Sequence, residues 1–406
     1  MDDEDELQVS LWKMTTASEL AQKAMDKTER TFKQMVLKQY HCHQKVFSEK
    51  ASQWFPPKRP WDHAIDLLPD APKTLDCKVY PLALTEGDTL TKFLNEQLEK
   101  GYIHPSKSPY ASPFFFISKK DKKLQPVQDY WKLNTLTIKN WYPLPLIPEI
   151  IDRVWDARLF TKLDVRWGYN NVWIKGDEWK ASFKMNQELY KPRVMFFRLT
   201  NLPSTFQTMM DTIFHDLILT NKVIVYMDNI LITTSANVDH HQEVVHQILY
   251  WLEEHNLYLK PEKCTFEVPE VEYLGIIIGY GKIWMDPVKV QGIVIWLAPK
   301  NLTELWGFVS FLNFYHWFIK GFSKLAQPLH DLTKKGVPWQ WTDKEQRGFN
   351  TLNAKVAEEL RLSTSPGCSQ VLMVWPMRIP TMQPWICSGL HHWWASWWGE
   401  SPITHG

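Results

Sequence analysis

Val223-Ile224-Val225-Tyr226-Met227-Asp228-Asn229-Ile230-Leu231-Ile232 sets two runs of strand-forming residues around a short acidic turn. β-Branched and aromatic side chains on either side of a polar pair read as a β-hairpin that carries Asp228 at its tip. A carboxylate fixed there suits a divalent metal, because Mg²⁺ takes oxygen ligands and keeps open positions for substrate phosphates. A second strand-like run, Leu159-Phe160-Thr161-Lys162-Leu163, ends on Asp164. Two carboxylates far apart in sequence but adjacent in a sheet make a two-metal phosphoryl-transfer site. The residue after Asp228, Asn229, is neutral.

A chain of 406 residues with a 44% hydrophobic fraction can bury a large core and suggests two or three domains. No apolar run reaches the length of about 18 residues that a membrane span needs, so no membrane partner is expected. The acidic start Met1-Asp2-Asp3-Glu4-Asp5-Glu6 lacks the basic and apolar regions of a signal peptide, and an intracellular setting is the expectation. Cys42, Cys77, Cys264, Cys368 and Cys387 are scattered without paired spacing, which reads as reduced thiols and neither a zinc site nor a disulfide framework.

Tyr226-Met227-Asp228-Asn229 resembles the Tyr-x-Asp-Asp box of reverse transcriptases. Leu163-Asp164-Val165-Arg166-Trp167-Gly168-Tyr169, Leu199-Thr200-Asn201-Leu202-Pro203-Ser204-Thr205-Phe206-Gln207 and Tyr273-Leu274-Gly275 lie around it in order. Pro109-Tyr110-Ala111-Ser112-Pro113, Asp129-Tyr130-Trp131-Lys132-Leu133-Asn134 and Asn313-Phe314-Tyr315 add further blocks. Over residues 45–360 the chain is similar to the pol polyprotein of gypsy-type LTR retrotransposons. The resemblance implies an α+β right-hand polymerase fold with fingers, a palm holding an antiparallel sheet, and a thumb. It places an N-terminal helical linker at 1–50, the entry segment and fingers at 51–147, the palm at 148–270 and the thumb at 271–330. Residues 331–364 would begin a connection toward RNase H, and the Trp-rich stretch 365–406 is expected to be aberrant, with no RNase H domain.

By the same resemblance the activity is RNA-directed DNA polymerisation, extending a primer with dNTPs on an RNA or DNA template. Asp164 and Asp228 would ligate Mg²⁺, with Mn²⁺ as the alternative, and Asn229 stands at the second carboxylate of the box. Tyr169 would lie under the incoming sugar. Phe197, Arg198, Gln125, Lys119 and Lys120 would face the nucleotide, and Gln128, Asp129, Gln207, Tyr226 and Met227 the template and primer. Nothing in the sequence fixes the oligomeric state.

Several positions depart from the family. Trp131, Trp141, Trp173, Trp306 and Trp317 stand where it typically has arginine, and the chain has 22 tryptophans against 10 arginines. His316 and Gln125 also replace arginine, Arg198 replaces glycine and Asn229 replaces aspartate. One type of transition, read on either strand, accounts for all of these. A mutationally decayed copy with impaired activity is therefore expected. Asn229 as a tolerated variant, a catalytically dead nucleic-acid-binding remnant, and a pseudogene product that overpacks its core are the alternatives. The net charge of +1 is low for a protein that grips a duplex, although Lys119, Lys120, Lys122 and Lys123 form a local basic patch.

Local patterns predict a helix over 89–101 closed by Gly101, a hairpin of 114–118 with 124–127, a helix after Pro148 and a long helix over 203–219. Asp239 is expected to cap a helix through His255, with Val245, Ile248, Leu249 and Leu252 facing the sheet. His240, His241 and His246 are then expected on its exposed face, without an acidic or cysteine partner at ligand spacing. Strands at 276–278 and 282–284 and helices beginning at Asp286-Pro287 and Asn301, the latter running to about Ile319, complete the reading.

Overall fold

Alternating side chains decide where the hairpin goes. In the computed structural model, which describes residues 31–53, 55–81, 83–118, 124–166, 168–185, 188–235 and 237–364, Val223, Val225, Ile230 and Ile232 enter one hydrophobic cluster, while Ile224 and Leu231 enter another. Period-two alternation thus buries both faces of the same strands. The strand Leu159–Arg166 does likewise, sending Leu163 and Val165 to the first core and Phe160 to the second.

Leu159–Arg166 is the centre of a five-stranded sheet. On one side it pairs antiparallel with Asn229–Thr234, which pairs with Val223–Tyr226. On the other side it pairs with Tyr258–Leu259 and Thr265–Val268. The helix Val238–Glu254 covers the first face with Val244, Val245, Ile248, Leu249 and Leu252. The helix Ile147–Val154 contributes Ile150, Ile151 and Val154 to the second. That second core continues into the three-stranded sheet Glu270–Tyr273, Ile276–Gly279 and Lys282–Met285, and into the helices Pro287–Val294, Leu302–Phe314, Phe322–Leu332 and Asp343–Thr364. A separate six-stranded sheet holds the hairpin of Tyr110–Ser118 with Leu124–Gln128. Among the described residues, no helix is long and apolar enough to cross a membrane.

Several boundaries differ from expectation. The first long helix spans Leu84–Glu99, and Gly101 past its end takes φ +69°, the left-handed closure that glycine permits without strain. The predicted 203–219 helix breaks at Phe214 into Leu202–Ile213 and His215–Leu219. Asn237, not Asp239, caps the Val238–Glu254 helix, its side chain accepting from the His240 amide. Asn301 does cap its helix, which stops at Phe314 and gives way to a 3₁₀ turn, His316–Phe318.

His241 is a clear correction: it is fully buried. It lies four residues before Val245 and seven before Ile248, so helical spacing puts it on the apolar face. Nε2 pairs with Thr161 Oγ1 at 2.7 Å and Nδ1 with Thr234 Oγ1 at 2.8 Å, which ties the helix to two strands. The alternative of a core overpacked by tryptophan finds no support at the outer positions. Trp131, Trp141 and Trp306 are 64%, 76% and 48% exposed. Half-buried Trp173 packs edge-on to Phe55 at 4.5 Å beneath the Arg193 guanidinium. Trp317 packs at the margin of the second core. The expectations for 1–30, for Lys119 and Lys120, and for the 365–406 tail lie outside the described residues.

Burial pushes both His241 and the equally enclosed His63 down to about 4. A histidine held neutral in the fold takes up protons more readily when unfolded, so stability is complete above pH 6.5 and falls as the pH drops toward 4. The melting temperature is expected to fall over that window, with His241 accounting for about 2 kcal/mol. His241→Gln should flatten the slope; an unchanged slope in scanning calorimetry would remove His241 from the cause.

Candidate active site

The two-residue loop Met227-Asp228 joins strands that pair Tyr226 with Asn229. Loops of this length favour positive φ at the first central residue, which is why glycine or asparagine is usual there. Met227 adopts φ +51° instead. Gln207 holds it: the Met227 amide donates to Gln207 Oε1 at 2.7 Å, and Gln207 Nε2 donates to the Val225 carbonyl at 3.0 Å and to Asp211 Oδ1 at 2.8 Å. From the opposite face, the Tyr273 hydroxyl donates to the Asn229 carbonyl at 3.2 Å.

Two of the residues expected at the template and primer are enclosed. Gln207 has no exposed surface and positions the hairpin. Met227 is likewise buried, with the Tyr169 hydroxyl 3.6 Å from its sulfur. Gln128, assigned to the same surface, is also buried, with its Nε2 unpartnered among the described residues. Asp129 accepts from the Trp131 amide at 3.0 Å, a turn bond just before the helix Trp131–Leu136. Tyr226 stays half-buried between the two cores.

Sheet register sets the acidic centre. Asp164 lies directly opposite Asn229, and the Val165 amide donates to the Asp228 carbonyl at 2.8 Å. Burial, and then the negative charge of Asp164, raise the Asp228 carboxyl above its ordinary value, while Lys260 and Lys263 pull it down. Asn229 Nδ2 donates to Asp228 Oδ1 at 3.2 Å. Asp164 is 6% exposed and receives Lys260 Nζ on Oδ1 at 3.0 Å and Lys263 Nζ beside Oδ2 at 3.7 Å. The sequence reading missed both lysines. Their signal is the Lys260-Pro261-Glu262-Lys263 stretch, whose 3₁₀ turn starts at Pro261 next to the strand that pairs with Val165 and Arg166.

The donor set fits a hard divalent cation. It offers carboxylate oxygens, and the Asp228 carboxyl resists ionising first because it is buried and then because Asp164 is near, which a bound cation would offset. Asn229 lends an amide but no charge.

Beside this centre, Tyr169 stands edge-on to Phe197 at 5.5 Å and to Phe206 at 5.3 Å. Gly168 makes that packing possible, since a Cβ there would come within 2.8 Å of the Phe206 ring. Burial and the charge of Asp228 keep the Tyr169 phenol protonated. Phe197 is 52% exposed. Arg198 takes φ +77°, a left-handed conformation that glycine adopts freely. Asn134 secures this turn, donating to the Arg198 carbonyl at 2.7 Å and accepting from the Thr200 amide at 3.0 Å. The Arg198 guanidinium extends over the Phe115 ring at 5.7 Å, toward the strand whose Ile117 pairs with Gln125.

Residues 117–278 match the family described as reverse transcriptase (RNA-dependent DNA polymerase). They are a reverse transcriptase domain of the retrotransposon pol type. The transposon Tf2-7 polyprotein of Schizosaccharomyces pombe is 32% identical over 279 residues, which are 68% of this chain and 21% of the polyprotein. The Tf2-3 polyprotein of the same organism is 31% identical over the same shares. The chain therefore spans about a fifth of the length of the curated relatives it matches. Among solved structures, foamy viral protease-reverse transcriptase in complex with an RNA/DNA hybrid superposes with a TM-score of 0.69, at 18% identity, over 84% of this chain and 46% of that one. The same viral protein in complex with dsDNA gives 0.68 at 19% identity, over 84% and 71%. This likeness establishes the right-hand polymerase fold for the reverse transcriptase domain.

Two substitutions probe the site's support. Arg198→Gly removes a left-handed strain of about 1–2 kcal/mol and should raise the urea midpoint; a lowered midpoint would mean that the contact over Phe115 outweighs the backbone. Gln207→Leu leaves the buried Met227 amide and Val225 carbonyl unpaired. It should cost about 2–4 kcal/mol in the same measurement, and a loss below about 0.5 kcal/mol would contradict the clamp.

Proposed function

We propose that this chain extends a nucleic-acid primer with dNTPs on an RNA or DNA template, through phosphoryl transfer at Asp164 and Asp228, with the rate depressed by Asn229. The observation that carries this reading is the register that pairs Asp164 with Asn229 and so sets Asp228 beside Asp164. Asp164 and Asp228 would hold Mg²⁺, with Mn²⁺ as the alternative. A bound divalent ion supplies charge neutralisation for the attacking and leaving oxygens.

The chain's own groups have distinct tasks. Lys260 and Lys263 offset the charge of Asp164 and hold its carboxylate in place. Tyr169, neutral and wedged between two phenylalanine rings, offers a flat floor for the incoming sugar, where a 2′-hydroxyl would crowd it. Gln125 keeps a hydrogen-bond donor but not the fork or charge that an arginine brings to a triphosphate. Arg198 lends charge from an unaccustomed position. In this reading residues 51–147 act as fingers, 148–270 as palm, 271–330 as thumb, and 331–364 open the connection beyond. Nucleic-acid complexes of the viral structural neighbours support the choice of partner.

Single-turnover incorporation on a primed template, with Mg²⁺ and with Mn²⁺, tests the proposal. Asn229→Asp restores the missing carboxylate and should raise the rate by about 10²–10³, whereas Asp164→Asn should abolish it. Incorporation that survives Asp164→Asn unchanged would sink the reading. Salt-sensitive duplex binding with no extension, even in Asn229→Asp, would leave a nucleic-acid-binding remnant in its place.

A further inference from the structure

We infer that Cys42, His43 and His246 form a zinc site that fastens the N-terminal arm to the helix Val238–Glu254. The three ligand atoms lie within 4.8 Å of one another. His43 Nε2 and His246 Nδ1 are 3.0 Å apart across 203 residues of sequence. Two nitrogens at ordinary zinc bond lengths of about 2.05 Å would stand about 3.3 Å apart in a tetrahedral site, with the sulfur about 3.5 Å from each. The nitrogens need almost no movement. Cys42 is exposed, so its thiol can close the remaining ångström or so by turning about its side-chain bonds.

The surroundings fit this role. Cys42 and His43 belong to the 3₁₀ run Lys38–Phe47, and His43 interrupts its regular geometry with φ −92° and ψ 28°. His43 Nδ1, the nitrogen facing away from His246, lies 3.8 Å from Glu253 Oε2, and Lys45 Nζ approaches the other Glu253 oxygen at 3.6 Å. A carboxylate behind a ligating imidazole fixes its tautomer and orientation, a common feature of zinc sites. Tyr40 packs its ring against His246 at 5.0 Å and steadies the second imidazole. One thiolate, two imidazoles and an open fourth position for water favour Zn²⁺ over the oxygen-seeking Mg²⁺. On binding, the Cys42 thiol releases its proton to solvent, while each imidazole keeps its proton on the nitrogen turned away from the metal. The fold brings Cys42 close to His246, a partner that spacing in the sequence does not show, and the proposal departs from the expectation that the cysteines make no zinc site.

The test uses the full chain, reduced and stripped of metal, with excess Mg²⁺ present to occupy the Asp164–Asp228 centre. Titration of Zn²⁺ against a chromophoric chelator should give one tight equivalent. Co²⁺ in its place should give a thiolate-to-cobalt charge-transfer band that is absent in Cys42→Ser, a change on an exposed side chain. His246→Ala should weaken Zn²⁺ by more than tenfold, and Glu253→Gln by about tenfold. Zn²⁺ should also raise the melting temperature of the parent chain but not of Cys42→Ser. Asp164→Asn should leave all of these readings intact, which separates this site from the polymerase centre. Absence of a stoichiometric Zn²⁺ equivalent, or equal Zn²⁺ affinity in the parent, Cys42→Ser and His246→Ala, would overturn the proposal.

Discussion

The register between Leu159–Arg166 and Asn229–Thr234 governs everything else in the molecule. A slip of one residue would turn every side chain of a strand to the opposite face. Leu163 and Val165 would leave the first core, and Asp164 would enter it with no compensating charge. The two-core arrangement forbids that slip, because both faces of the central strand are enclosed. The hairpin inherits this register and is pinned by Gln207 from one side and Tyr273 from the other. Catalytic geometry is thus a by-product of apolar packing, reinforced by a few hydrogen bonds to backbone.

Periodicity made much of this legible from sequence. The alternation around Asp228, the apolar run before Asp164 and the helical spacing of Val245, Ile248, Leu249 and Leu252 each correspond to observed elements. Pattern reading went astray where a polar residue serves an interior. His241 was set on the outside by its chemistry, although its spacing matched the buried face. Gln207, which the resemblance sets near the template and primer, satisfies with its amide backbone groups that the tight turn leaves free. The Lys260-Pro261-Glu262-Lys263 stretch marks a turn but not its partner Asp164, and the Cys42–His43–His246 cluster joins distant segments, which no local pattern carries.

The departures from the family also sort physically. Trp131, Trp141 and Trp306 are exposed, so they add no bulk to a core. If they stand in place of arginines, as the resemblance implies, what is lost there is positive surface charge, on which a grip on phosphates would depend. Arg198 differs, because its cost is conformational: the backbone there takes a left-handed shape suited to glycine. The unusual residues thus sit in the fold without disturbing its cores: three tryptophans lie on the surface, and Arg198 lies in a turn secured by Asn134.

Asn229 has the subtlest consequence. Lys260 and Lys263 pair with Asp164 and also favour the charged form of Asp228, against the burial and the Asp164 charge that oppose it. A third carboxylate at position 229 would add negative charge to this group and favour a divalent cation. With an amide there, the lysines come close to neutralising the pair unaided, and a cation entering the site must compete with ammonium groups already 3.0 Å and 3.7 Å from Asp164. At such separations in a partly buried setting each Coulomb contact amounts to about a few kcal/mol. On the proposed reading, an amide in place of a carboxylate would thus act twice, offering an uncharged oxygen to the cation and tipping the remaining charges toward a state that holds itself together without metal.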